Sequence, residues 1–234
     1  MKNIAFIFAR GGSKGLPGKN IKHLDGKPLL QYSIETAKAS PSVSDVFVST
    51  DDDQIKACAI AAGATVIDRP VELAGDKSPE WLAWRHAIEW VKEHYGIFDN
   101  FISLPATSPL RSVEDVEAAI AMRSDVEADI CISVTPASRS PYFNMVKLST
   151  QNITELVIKP EGDVFRRQDS PEVYDITTVV YVADPNFILN KYGIFSGKVT
   201  SIVVPKERAV DIDDIYDFYM AESLIKFKNE SKND

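Results

Sequence analysis

The apolar run from residues 3 to 9, ending at Arg10-Gly11-Gly12, is the strongest constraint on this chain. A strand with no polar face must be covered on both sides, which places it at the centre of a parallel sheet between helices. Further β-rich runs follow at Val46 to Ser49, Thr65 to Ile67, Phe101 to Leu104, Ile130 to Val134, Thr178 to Val182 and Val199 to Val204. Helix-like segments cover about 29 to 39, 52 to 62, 79 to 94, 113 to 123 and 213 to 227. Alternation of the two predicts an α/β fold: a Rossmann-like, mostly parallel sheet with flanking helices. Pro136, Pro141, Pro160 and Pro171 interrupt the alternation, so approximately residues 136 to 170 are expected to form a small β-rich arm inserted in a single domain spanning 1–234. Trp81, Trp84, Ile88 and Val91 recur at helical spacing and read as core rather than as a stacking platform.

The segment Arg10-Gly11-Gly12-Ser13-Lys14-Gly15-Leu16-Pro17-Gly18-Lys19-Asn20 puts glycines and cations at the carboxyl end of that first strand. Glycines let backbone N–H groups close on a ligand, while Arg and Lys neutralise phosphate charge. The spacing is neither that of the Walker loop nor that of the dinucleotide fingerprint. A solvated turn with incidental charges would not gather Arg10, Lys14 and Lys19 at a strand end, where α/β sheets bind ligands.

Near the other end, Asp211 and Asp213 stand two apart, so both carboxylates would share one side of an extended stretch. Such a pair suits Mg²⁺, which takes one or two carboxylates together with substrate phosphates. Capping of the following helix explains the same residues equally well. Asp51-Asp52-Asp53 follows a strand and opens a helix, which makes capping its expected role. His23, His86 and His94 are scattered and receive no catalytic role.

With 34 acidic against 26 basic side chains the net charge is −8, which disfavours a general binder of nucleic acids. Cys58 and Cys131 lie in apolar periodic segments, so neither a structural disulfide nor a Cys/His zinc cluster is expected. The short first apolar run leads into a glycine loop rather than a cleavage region, and no run approaches the ~20 residues of a spanning helix. The expected setting is the cytoplasm, with no membrane or nucleic-acid partner.

Residues 9 to 20 resemble the signature Ala-Arg-x-x-Ser-Lys-Gly-x-x-x-Lys-Asn of the acylneuraminate cytidylyltransferase family. The resemblance continues in the family's order through Val48-Ser49-Thr50-Asp51, Arg69 to Ala74, Thr107-Ser108-Pro109-Leu110-Arg111, Arg167-Gln168 and Asp211-Ile212-Asp213, covering nearly the whole chain. It implies attack by the anomeric C2 hydroxyl of a nine-carbon 2-keto sugar acid on the α-phosphorus of CTP, giving a CMP-sugar and pyrophosphate. Arg10 and Lys19 would clamp the triphosphate, with Gly11, Gly12, Ser13, Lys14, Asn20, Arg69 and Ser78 on the nucleotide side. Asp211 and Asp213 would hold Mg²⁺, and Arg167, Gln168 and Tyr181 would approach the sugar acid. A homodimer is implied, with the arm reaching the neighbouring subunit's sugar pocket.

Two departures from the family pattern fall at the sugar pocket. Pro105-Ala106 replaces a Gln-Pro before Thr107-Ser108, and Thr177-Thr178 replaces an Asn-Gly before the strand carrying Tyr181. Losing an amide removes a hydrogen-bonding partner, which changes selectivity for polar substituents. The expected acceptor is therefore a nonulosonic acid other than N-acetylneuraminate, of the legionaminic or pseudaminic kind. Competing readings are a Kdo cytidylyltransferase, which shares a related first loop, a GTP-using nonulosonate guanylyltransferase, a GT-A glycosyltransferase and a non-catalytic nucleotide-sugar binder. The GT-A class places its Asp-x-Asp after a mid-chain strand, whereas Asp211-Ile212-Asp213 stands near the C-terminus. Joint retention of Arg10, Lys19, Asp211 and Asp213 opposes a silent binder.

Overall fold

A computed structural model describes residues 1–160, 162 and 166–230. Residues 161 and 163–165, which belong to the expected arm, and 231–234 lie outside the described residues. The strands are β1 (Asn3–Phe8), β2 (His23–Leu24), β3 (Lys27–Pro28), β4 (Val43–Thr50), β5 (Thr65–Asp68), β6 (Asn100–Ser103), β7 (Ile130–Pro136), β8 (Val146–Leu148), β9 (Thr154–Leu156), β10 (Tyr174–Ala183) and β11 (Val199–Val203). The helices are α1 (Leu29–Ala39), α2 (Asp53–Ala61), α3 (Glu80–Tyr95), α4 (Val113–Asp125), α5 (Pro185–Asn190) and α6 (Ile215–Glu230).

Seven strands form the main sheet in the order β11-β7-β10-β6-β1-β4-β5, so the apolar first strand lies well inside it, as its composition requires. Alternate residues of β1 serve two cores. Ala5 and Ile7 face Leu30 and Ile34 of α1, Ile55 of α2 and Val116 of α4, while Ile4 and Phe6 face Trp84 and Ile88 of α3 and Phe187 of α5. Phe6, Phe47 and Phe101 are fully buried, with the Phe6 and Phe101 rings stacked at 4.8 Å. Trp84 completes this layer and Trp81 anchors to the carbonyls of Ile188 and Lys191, which confirms the aromatic stripe as packing.

One expectation needs correction. Alternation predicts parallel pairing, and β1, β4, β5 and β6 obey it, but β10 runs antiparallel to both β6 and β7. The reason is the connection: after β7 the chain passes through residues 137–173 rather than a crossover helix. It re-enters at the end it left, which only an antiparallel neighbour can accept. Those residues carry the small β8-β9 hairpin. Helix α5, six residues long, escapes a periodicity reading.

β10 also carries a bulge. Thr177 pairs with Ser133, yet Tyr181 pairs with Ile132, so Thr178, Val179 and Val180 have no ladder partners. Ser133 Oγ takes over the ladder's work there by donating to the Thr177 and Val180 carbonyls and accepting from the Val180 amide and the Thr177 hydroxyl.

Phe101→Ala should lower the free energy of unfolding by about 3–5 kcal/mol, because it opens a cavity at the shared stack of both β1 and α3. A shift in denaturation midpoint at unchanged slope is the expected result.

Candidate active site

A cleft of about 570 Å³ opens at the carboxyl end of β1. It is lined by the glycine loop, by the segment carrying Arg69 and Ser78, by the first turn of α3, by Thr107 and by Asp213. This is the edge where α/β sheets bind ligands, since helices α1 and α3 leave β1's two faces on opposite sides.

The loop is held open by polar contacts to its neighbours. Asp51 accepts from the Gly11 amide at 3.1 Å, and Asn20, buried, donates to the Arg10 carbonyl at 3.0 Å. Gly15 has a packing requirement, because a Cβ there would meet the Asp213 carbonyl oxygen at 2.3 Å. Lys19 spans the same junction, donating to the Ile212 carbonyl at 2.6 Å and lying 3.4 Å from the Asp213 carboxylate. The two ends of the chain therefore meet at the cleft.

Arg10 and Lys14 converge on Asp76, at 2.9 and 2.5 Å, and these cations hold its carboxyl below its ordinary pKa. Arg69 is buried, donates to the Ser49 carbonyl and hydroxyl, and lies over the Phe8 ring at 5.6 Å. Ser78 lines the cleft beside it, whereas Gly11 faces a smaller adjoining pocket and Gly12 lies in the open.

Asp211 is raised above its ordinary pKa of 3.8, chiefly by burial and next by Asp213, although the hydroxyls of Thr107 and Thr178 pull it down. Its Oδ1 is buried with no hydrogen-bond partner among the described residues. The helix-cap reading of this pair does not describe the structure: Asp214 caps α6 by accepting from the Tyr216 and Asp217 amides, while Asp217 accepts from the Asp213 and Asp214 amides. Both side chains of the pair are left free of capping. By contrast Asp52 caps α2, as the acidic cluster at 51 to 53 suggests. Among the described residues no group of three or more His, Cys, Asp or Glu converges. An orphaned carboxylate oxygen beside a second carboxylate fits an ion that completes its shell with phosphate oxygens.

Glu80 was not evident from the sequence, where an acid in a helix's first turn reads as a response to the helix dipole. Solvent reaches its carboxylate, yet protein atoms surround it, as happens in a concave wall. Burial raises its pKa, the Trp84 indole and Arg69 oppose the rise, and Asp211 adds to it. Across from it Tyr181 is pushed up to about 12 by burial and by the charges of Glu80 and Asp211. Asp76 likewise had no sequence signal beyond its nearness to Ser78.

The remaining expected residues divide into two groups. Thr178 bonds Ser108 at 2.7 Å and touches Asp211, Thr177 is tied to Ser133 in the bulge, and the Pro105 carbonyl accepts from Ser33 and Arg111. These lie behind or beside the cleft. Arg167 and Gln168 instead line a separate cleft of about 470 Å³ at the base of the arm, where Arg167 donates to the Ala137 carbonyl. Within one chain they are not brought to the first cleft.

Arg10 and Lys14 on the surface carboxylate of Asp76, and Lys19 against the Asp211–Asp213 segment, put cations and carboxylates in one cleft. The class this fold and site define is the nucleotidyltransferases. The family model for cytidylyltransferases matches residues 4–198, and the chain belongs to that family. It is 33% identical over 230 residues to the CMP-N,N'-diacetyllegionaminic acid synthase of Campylobacter jejuni, covering 97% of each chain. It is 32% identical over 236 residues to the N-acylneuraminate cytidylyltransferase of Escherichia coli, covering 100% of this chain and 54% of that one. The fold matches a CMP:2-keto-3-deoxy-manno-octonic acid synthetase complexed with CTP, with a TM-score of 0.72 at 20% identity over 97% of this chain and 100% of that one.

Asp211→Asn should raise the thermal midpoint of the ligand-free protein while abolishing most turnover. The gain comes from removing a charge that burial and Asp213 oppose. The sign follows from the raised pKa: an acid harder to ionise when folded lowers stability as pH climbs past its ordinary value. The gain should be absent in strong acid and grow towards neutrality, which melting curves across pH would show.

Proposed function

We propose that the chain activates a nonulosonic, sialic-acid-like sugar acid with CTP. The anomeric C2 hydroxyl attacks the α-phosphorus, the new C2–O–P bond forms, the bond to the β-phosphate breaks, and pyrophosphate leaves while the hydroxyl proton passes to a carboxylate of the cleft. The observation that carries this reading is the packing of the glycine-cation loop on the Asp-Ile-Asp segment through Gly15 and Lys19. It supports the reading by bringing the glycine loop and Lys19 against the Asp211–Asp213 segment.

Arg10 and Lys14 exchange Asp76 for the triphosphate, and Lys19 stays fixed between loop and carboxylates. Asp211 and Asp213 would hold Mg²⁺, which supplies charge neutralisation on phosphate oxygens when bound. No protein nucleophile is needed, since positioning and electrostatics dominate phosphoryl and nucleotidyl transfer. Setting reasons of charge aside, Arg69 and Ser78 with Phe8 shape the nucleoside end. Pyrophosphate release should require CTP, a sugar acid and a divalent cation. Lys19→Ala should lower kcat by about 10²-fold or more with folding intact. Turnover indifferent to EDTA would overturn the metal assignment.

The acceptor is a nonulosonic acid other than N-acetylneuraminate. Position 105 offers a proline in place of an amide, and the hydroxyls of Thr177 and Thr178 are engaged by Ser133 and Ser108. A substituent rich in hydrogen-bonding groups would go unpaired there, whereas a deoxy or methyl-bearing acceptor loses less. Legionaminic acid should show a higher kcat/KM than N-acetylneuraminate, with pseudaminic acid as the third arm. A preference for N-acetylneuraminate would overturn this choice and leave nucleotidyl transfer standing.

The arm completes the site in a second subunit. Met145, Val146, Leu148, Ile153 and Val157 are exposed on and beside the β8-β9 hairpin, which buries neither face alone. A symmetric dimer would cover them and carry Arg167 and Gln168 to the partner's cleft. Sedimentation at micromolar concentration should show a dimer, and a fully active monomer would exclude it.

A further inference from the structure

Arg111 is buried, and among the described residues its guanidinium has no carboxylate partner. Nε donates to the Val179 carbonyl at 2.6 Å, Nη1 to the Ser33 hydroxyl at 2.6 Å, and Nη2 to the Pro105 carbonyl at 2.6 Å and the Thr178 carbonyl at 3.3 Å. The nearby Asp115 is already taken by Arg208, in a bidentate pair at 2.9 Å for both contacts. The other acid that Arg111 feels is Asp211. A buried cation bonded only to neutral oxygens is expensive, so its place in the fold calls for a reason beyond packing.

The acceptors supply that reason. Thr178 and Val179 are in the unpaired bulge of β10, where the sheet ladder no longer fixes the backbone. Pro105 belongs to the loop after β6 that leads to Thr107. The Thr178 and Thr107 hydroxyls both lower the pKa of Asp211, and the Thr107 carbonyl ties the same segment by accepting from the Ile212 amide at 2.9 Å. Both supports of Asp211 are thus set by one rigid fork, with Ser33 of α1 bracing it from behind.

We infer that Arg111 is a positioning residue for Asp211: it joins the β10 bulge to the loop after β6 and so sets the direction of a carboxylate it does not touch. The inference rests on the proposed metal role of Asp211. Lysine cannot reproduce a planar fork with four acceptors, so Arg111→Lys keeps the charge and loses the joint.

Two measurements on the intact protein test it. In the first, pyrophosphate release is followed against Mg²⁺ concentration at saturating CTP, and against CTP at saturating Mg²⁺. Arg111→Lys should raise the Mg²⁺ concentration for half-maximal rate about tenfold, the scale set by other outer-shell partners of metal ligands, and change the KM for CTP less than about twofold. Thr178→Val, which leaves the guanidinium in place, should give a similar shift, and the double variant should add little to either. In the second, amide hydrogen exchange of the ligand-free chain should quicken at Ile212 and at Thr178 to Val180 in Arg111→Lys, while β1 and β4 keep their protection.

A folded Arg111→Lys protein with unchanged Mg²⁺ demand, or with a still-protected Ile212 amide, would reduce Arg111 to a local packing role. If Arg111→Lys fails to fold, Ser33→Ala removes one brace of the fork, and an unchanged Mg²⁺ demand in both Ser33→Ala and Thr178→Val overturns the inference. Wild-type turnover indifferent to Mg²⁺ defeats the metal reading of Asp211 instead, and the exchange experiment then decides alone whether Arg111 holds the segment.

Discussion

Everything at the cleft depends on a small third core. Leu16, Leu110 and Ile212 are buried together with Leu24, Leu29 and the inner face of α6, apart from the two cores that sandwich the sheet. Each of the three comes from a different loop, and each is flanked by the polar residues that serve the site. Lys14 and Lys19 flank Leu16, Thr107 and Arg111 flank Leu110, and Asp211 and Asp213 flank Ile212. Burying one apolar side chain from each loop, worth about 1.5–3 kcal/mol apiece, fixes three segments that have no regular secondary structure to position them. Charged groups that would repel or desolvate one another are thereby held at short range.

That arrangement has a cost visible in the titration behaviour. Asp211 and Glu80 are both harder to ionise than free carboxyls, chiefly because of burial, with Asp213 adding to Asp211 and Asp211 adding to Glu80. Tyr181 is driven up by burial and, after it, by the same two acids. Binding sites commonly store such unfavourable charge until a ligand relieves it. On the basic side the imbalance is smaller, since Asp76 partners Arg10 and Lys14 from the exposed segment between Ala74 and Ser78. A surface pair of this kind is weakly held.

Much of this was legible from residues alone where a local rule forces the outcome. An all-apolar strand must be interior, a glycine-cation run at its carboxyl end must lie at the ligand edge of the sheet, and Trp84 with Ile88 at helical spacing must pack. The antiparallel course of β10 was not legible, because strand direction depends on how residues 137–173 return and not on the composition of the strand. Asp214 as the cap of α6 was hidden for a related reason. Four acids crowd positions 211 to 217, and only backbone geometry shows which of them accept from the helix amides. Glu80 and Arg111 carried no signal of their own, since a first-turn acid and an arginine before a helix are ordinary.

Sequence by itself determined the fold class, the glycine-cation loop and the candidate carboxylate pair, since these follow from local composition and from the order of motifs along the chain. Tertiary structure alone decided which of those groups meet. Gly15 against the Asp213 carbonyl, and Lys19 against Ile212, are contacts between residues nearly two hundred positions apart, which no periodicity encodes. It also decided that Arg167 and Gln168 stand at a second cleft, because the arm leaves the sheet after β7 and its base lies away from β1. The physical reason is the same throughout: a side chain's chemistry is local, whereas its desolvation and its charged neighbours are set by whatever the fold places against it.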